Sequence, residues 1–213
     1  MGQKVNPIAL RLGIHHEFKS VGFYPRKTYA KNVLKDIQIR DALLNKLKHA
    51  GVGDVIIERS QNQIKLTIYV TKPGIVIGRG GSGLEIVKKD IVRLLKGSSN
   101  DGSGELKIEI KVEPIKEPNL NARIVASNIA DQLIRRMPHR RVMKQTVERV
   151  MTSGAKGVRI VLSGRIAGAE ISRVERNQAG KLSLSTIRED IDYAQIPALT
   201  KSGYIGVKVW INK

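Results

Sequence analysis

The chain has 213 residues, 41% of them hydrophobic but only 4% aromatic, so its cores must be built from Val, Ile, Leu and Ala. With no cysteine, it has no disulfide, thiolate metal site or thiol chemistry. Thirty-eight Lys and Arg against nineteen Asp and Glu leave +19, a surplus that repels itself in a compact fold unless a polyanion, most commonly nucleic acid, neutralises it.

The start lacks the apolar segment of a signal peptide, and Asn6 stands where myristoylation needs Ser or Thr. No apolar run reaches the roughly 18 residues needed to cross a bilayer. Residues 1–36 mix Lys4, Arg11, Lys19, Arg26 and Lys27 with Pro7, Gly13, Gly22 and Pro25 and show no clean period in their first 30 residues, which reads as a basic arm. A helix is expected over about 29–50, with Val33, Leu34, Ile37, Ile39, Leu43, Leu44 and Leu47 suiting one or two of its faces and Gly51 ending it. Residues 54–59 and 63–70 read as a hairpin, the second strand alternating through Ile64, Leu66, Ile68 and Val70. A short apolar turn, Ile75-Val76-Ile77, leads into a glycine cluster. The next helix is expected to turn Ile86, Val87, Ile91 and Leu94 or Leu95 inward and Lys88, Lys89 and Arg93 outward. Residues 97–104 form a polar loop and 106–112 a strand.

Pro114 and Pro118 mark a boundary. Two helical stretches follow, about 119–136 and 139–152, the second with Val142, Met143, Thr146, Val147, Val150 and Met151 on one side. Four strand-like runs, 158–162, 168–176, 190–196 and 205–211, close the chain. The fold class is therefore α+β in both halves: 37–113 as one domain, and 114–213 as another with two helices on a mostly antiparallel four-stranded sheet.

Residues 78–83 spell G-x-G-x-x-G. A dinucleotide site would need a buried strand before this motif and an acidic residue about 20 positions on, and neither is present. No Walker loop occurs. The alternative takes Gly78-Arg79-Gly80-Gly81 as the G-x-x-G loop of a KH domain, which joins two helices and clamps a nucleic-acid backbone. Glycines let phosphate approach, the following helix N-terminus offers free N–H groups, and Arg79 adds a fork of donors. The order helix, strand, strand, short helix, loop, helix, strand makes this short motif specific.

Several blocks together resemble the bacterial family of small-subunit ribosomal protein three, nearly end to end. They are Met1 to Pro7, Arg11 to Ile14, Thr71 to Gly81, Arg140-Arg141-x-Met143-Lys144, Gly154 to Gly157, Ser163-Gly164-Arg165, Gly168-Ala169-Glu170, Asp190 to Tyr193 and Gly206 to Trp210. The resemblance implies a prokaryotic-type (type II) KH domain followed by a C-terminal α+β domain, in a cytoplasmic, non-enzymatic, cofactor-free protein of the ribosome. Its implied partners are small-subunit ribosomal RNA, messenger RNA, and small-subunit proteins ten and fourteen, with four and five where messenger enters. There a basic patch grips and helps unwind messenger, and by matching position that patch is Arg140, Arg141 and Lys144. Arg140 and Lys144 are four apart and share a helix face. The KH loop Gly78–Gly81 with the helix face Lys88 and Lys89 is a second expected RNA surface, and Gln3, Lys4, Asn6, Arg11, Arg165 and Arg173 are the further candidates for ribosomal-RNA contact. Val174 stands for the family's Thr, and Ser183 and Ser185 for Pro and His.

None of the four histidines has a metal partner at helix spacing, and no serine sits in a nucleophile elbow. Glu170, Glu175, Glu189, Asp190 and Asp192 read as structural partners of Arg165, Arg173 and Arg188 rather than as a carboxylate site. On the residues alone a KH-type RNA chaperone acting off the ribosome stands as the alternative to a ribosomal constituent.

Overall fold

The computed structural model describes residues 4–60, 63–96 and 107–213. In chain order these form α1 (Pro7–Leu10), β1 (Ser20–Gly22), α2 (Arg26–Lys46), β2 (Val52–Arg59), β3 (Gln63–Val70), α3 (Pro73–Ile77), α4 (Ser82–Lys96), β4 (Lys107–Pro114), α5 (Ala122–Ile134), α6 (His139–Thr152), β5 (Gly157–Gly164), β6 (Arg173–Gly180), β7 (Ile191–Thr200) and β8 (Gly203–Asn212). The chain falls into two units, one spanning Phe18–Lys116 and the other joining the residues up to Glu17 with Glu117–Lys213. The expectations for Gln3, for the loop 97–104 and for Leu106 lie outside the described residues.

In the first unit the sheet runs β1-β2-β3-β4, with β2 and β3 antiparallel and the outer pairs parallel. Ile64, Leu66, Ile68 and Val70 of β3 are all fully buried, as their alternation requires, and pack with Ile39 and Leu43 of α2 and Val87, Ile91 and Leu95 of α4. The α-β-β-α-α-β order is the one expected. Two helix faces differ from expectation. Ile86 is 52% exposed and Leu94 lies at the surface, because Val87, Ile91 and Leu95 at four-residue spacing already fill the sheet-facing stripe. Leu34 and Ile37 are exposed in the same way on α2.

In the second unit the sheet order is β6-β5-β8-β7, antiparallel throughout. Helices α5 and α6 cover one face. Val158, Ile160 and Leu162 of β5 and Val207, Val209 and Ile211 of β8 meet Ile129, Val142 and Val150 in one core. Asn121 caps α5 through its side-chain oxygen, which accepts from Arg123 and Ile124 N–H, and Asp192 accepts from Ala122 N–H at 2.9 Å. The expected strand over 168–176 is displaced to Arg173–Gly180. Residues Ile166–Gly168 form a tight 3-10 turn with positive φ at Ala167 and Gly168, and the strand is prolonged by pairing with all of β5.

The N-terminal 36 residues are not one basic arm. Residues 4–17 belong to the C-terminal unit and 18–36 to the first unit. Asn6 caps α1, its side chain accepting from Ile8 N–H at 3.0 Å. Arg11, expected as an RNA contact, is fully buried. Its Nε donates to Glu189 O at 2.7 Å, Nη2 to Thr186 O at 2.8 Å and Leu184 O at 3.0 Å, and Nη1 to Pro7 O at 3.1 Å. The guanidinium is spent on backbone carbonyls and is closed to a ligand. His16 follows the same course, lying 3.2 Å from Ile191 O and 3.6 Å from Asp190.

Candidate RNA-binding surfaces

The glycine loop is assembled by close packing of α3 on α4. A Cβ on Gly83 would lie 2.4 Å from Val76 O, and one on Gly78 2.9 Å from Gly83 N with φ already at +71°. These two glycines let the helices touch. Gly80 and Gly81 serve another purpose: both have positive φ (+61° and +83°), and a Cβ on either would meet nothing. They keep the loop's outer side bare beside the exposed Arg79, while the first N–H of α4, that of Ser82, donates to Arg79 O and closes the loop. A helix, α3, precedes the loop where a dinucleotide motif needs a strand, so that reading falls on topology. Lys88 and Lys89 are exposed on α4, about 9 Å along the axis from its start.

The second candidate surface is the start of α6. Arg140, Arg141 and Lys144 are exposed there, while Val142, Met143, Thr146 and Val147 are buried behind them. No acidic residue occupies the first turn, and Pro138 provides no side-chain cap. Cations at this end oppose the helix dipole, which favours Asp or Glu at these positions. His139 anchors the turn from beneath, with Nε2 2.9 Å from Glu175 Oε2 on β6, whose other oxygen accepts from Arg173 Nε at 2.9 Å.

Arg135 and Arg136, not singled out from the sequence, precede this helix and are exposed as well. Arg136 adopts φ +60°, rare for a residue with a side chain, and closes α5 by donating its N–H to Leu133 O at 2.9 Å. Glycine is the usual occupant of such a position. The Arg-Arg pair before Pro138 was the sequence signal for it. Among the described residues none of Arg135, Arg136, Arg140, Arg141 and Lys144 has a carboxylate partner.

The remaining candidates are dispersed. Lys4 is exposed near α1. Arg165 is exposed but donates from Nε to Ala169 O at 2.9 Å, closing the 3-10 turn. The acidic residues find partners other than the arginines expected, Arg173–Glu175 apart: Glu189 faces Lys181 at 3.4 Å, and Asp192 faces Lys213 at 3.7 Å.

Comparison with known proteins places both units in families. Residues 38–120 match the KH domain family, and residues 129–211 match the family described as ribosomal protein S3, C-terminal domain. Over all 213 residues the chain is 46% identical to the small ribosomal subunit protein uS3 of Desulforudis audaxviator, covering 94% of that protein. It is 44% identical, again over its full length, to the protein of the same name from Hahella chejuensis, covering 90% of it. The corresponding protein of Natranaerobius thermophilus is 46% identical, with 89% covered.

Proposed function

The chain belongs to the family of small ribosomal subunit protein uS3, a non-enzymatic constituent of the small subunit, and from that premise we propose how its two basic surfaces are used. The KH loop Gly78–Gly81, with Lys88 and Lys89, holds ribosomal RNA by its backbone, phosphate oxygens approaching the bare glycines and accepting from Arg79. The start of α6 borders the passage by which messenger enters, and Arg140, Arg141 and Lys144 grip the single strand through its phosphates, independent of sequence. The protein sits in the head of the subunit, with small-subunit proteins ten and fourteen as neighbours and four and five across the passage.

One observation carries the messenger reading. Three exposed cations stand at the positive end of a helix with no acidic residue to offset them, an arrangement that costs fold stability and gains only when an anion arrives. The test uses small subunits reconstituted with the wild-type chain or with Arg140→Ala/Arg141→Ala/Lys144→Ala. The expected result is slower translation through a stable messenger hairpin with little change on an unstructured messenger. Equal speed of mutant and wild type on both templates contradicts the assignment.

A further inference from the structure

Helices α5 and α6 cover one side of the sheet of the C-terminal unit. Residues opposite those in the core form its other face, and the strand register fixes which they are. Gln178, Arg159, Trp210 and Tyr193 make one row across the four strands, and Arg176, Val161, Lys208 and Gln195 the next. The row at the far end closes with Tyr204 beside Leu199. No Asp or Glu occupies an outward position of this face, because Glu175 and Asp192 lie at the alternate, helix-facing positions.

Arg176 and Lys208 share a row two strands apart, about 10 Å, and Arg159 lies one row, about 7 Å, away. None has a carboxylate partner among the described residues. Like charges held this close weaken a sheet unless something offsets them. Arg159 Nε donates to Gln178 Oε1 at 2.9 Å, which fixes the guanidinium and leaves its outer nitrogens open. Aromatic rings flank the cations. At one end Tyr193 packs 5.1 Å from Trp210, which is itself buried, and at the other Tyr204 is 67% exposed. An acidic protein would leave the exposed ring without a use, and an apolar partner would bury the cations uncompensated.

We infer that this face is a third RNA surface, binding an unpaired strand with its phosphates on Arg159, Arg176 and Lys208 and a base stacked on Tyr204. It uses none of the residues of the KH loop or of the α6 patch, and so it stands or falls apart from the reading above. The general chemistry is that of sheets that read single strands, with backbone on cations and bases on exposed rings.

The chain reports on this face itself, since Trp210 is its one tryptophan. The experiment titrates the full chain with a 16-nucleotide unstructured RNA over a salt series, following affinity and Trp210 emission. Arg159→Ala/Arg176→Ala/Lys208→Ala is compared with wild type and with the α6 triple variant, each checked for native circular dichroism. The sheet variant is expected to lower the slope of log K against log salt by about 2, at about 0.7 for each phosphate no longer neutralised. It also abolishes the RNA-dependent change in Trp210 emission, which the α6 variant retains, and Tyr204→Ala weakens binding about fivefold or more. Unchanged slope and affinity in the folded sheet variant overturn the inference. The face would then be a docking surface for protein, and the assignments of the KH loop and α6 would be unaffected.

Discussion

Arg11 is a cation in a very basic chain that never meets solvent. Four carbonyls surround it, from Pro7, Leu184, Thr186 and Glu189, so it ties the N-terminal residues to a loop more than 170 positions on. Arg11→Ala leaves those carbonyls without donors and is expected to destabilise the C-terminal unit by about 3 kcal/mol, measured by urea unfolding. Arg11→Lys should recover only part, since one ammonium cannot reach all four; a change under about 0.5 kcal/mol in either variant contradicts the role. In the sequence this residue looked like any other surface cation, because its partners are backbone atoms that no spacing reveals. Tyr24 is a smaller case in the KH unit. Burial first, then the carboxylate of Asp36, whose oxygen its hydroxyl donates to at 3.0 Å, pushes its pKa up to about 12. Asp36 also pairs with Arg59, both side chains being buried. A folded pKa above the unfolded value of about 10 means the neutral phenol is the form the fold stabilises. Its contribution is complete below about pH 10 and falls away between about pH 10 and 12. Tyr24→Phe should flatten this part of the stability curve, and an unchanged curve would contradict it.

At the scale of elements, the buried strand β3 and helix α6 were legible because their alternation and helical stripe encode burial directly. The strand β6 was not, since an edge strand carrying Arg176, Asn177 and Gln178 has no apolar period and is defined by the neighbour it pairs with. The glycine motif was legible as a loop, but its division of labour needed coordinates. Gly83→Ala would drive a Cβ against Val76 O and Ile77 O and is expected to cost about 1–3 kcal/mol through separation of α3 and α4. Gly80→Ala meets open space and costs only left-handed backbone strain, about 1 kcal/mol. The reverse ranking in thermal unfolding would contradict the packing account. Helix α6 offers the opposite experiment. Arg140→Glu/Arg141→Glu places charges that suit the helix N-terminus, so stability should rise by about 0.5 kcal/mol per change. Binding of single-stranded RNA should fall at the same time. Stability and RNA binding falling together would show that the arginines support the fold instead.

For the molecule as a whole, the +19 charge sets the terms. Without RNA the two units carry a self-repulsion that salt relieves, since charges act over about 30 Å at 0.01 M ionic strength and about 10 Å at 0.1 M. The unfolding midpoint should therefore climb over that range, and a falling midpoint would show that specific ion pairs outweigh net charge. The division of labour between a KH unit and an α+β unit could be read from element order. The splitting of the first 36 residues between the two could not, because it rests on contacts such as those of Arg11. The reading as a small-subunit constituent is tested most directly by sedimenting tagged chain with ribosomal subunits before and after a moderate-salt wash. Retention on the small subunit alone, at about one copy per particle, is expected after the wash. Release of most of the chain at mild salt, or equal recovery with both subunits, would contradict it.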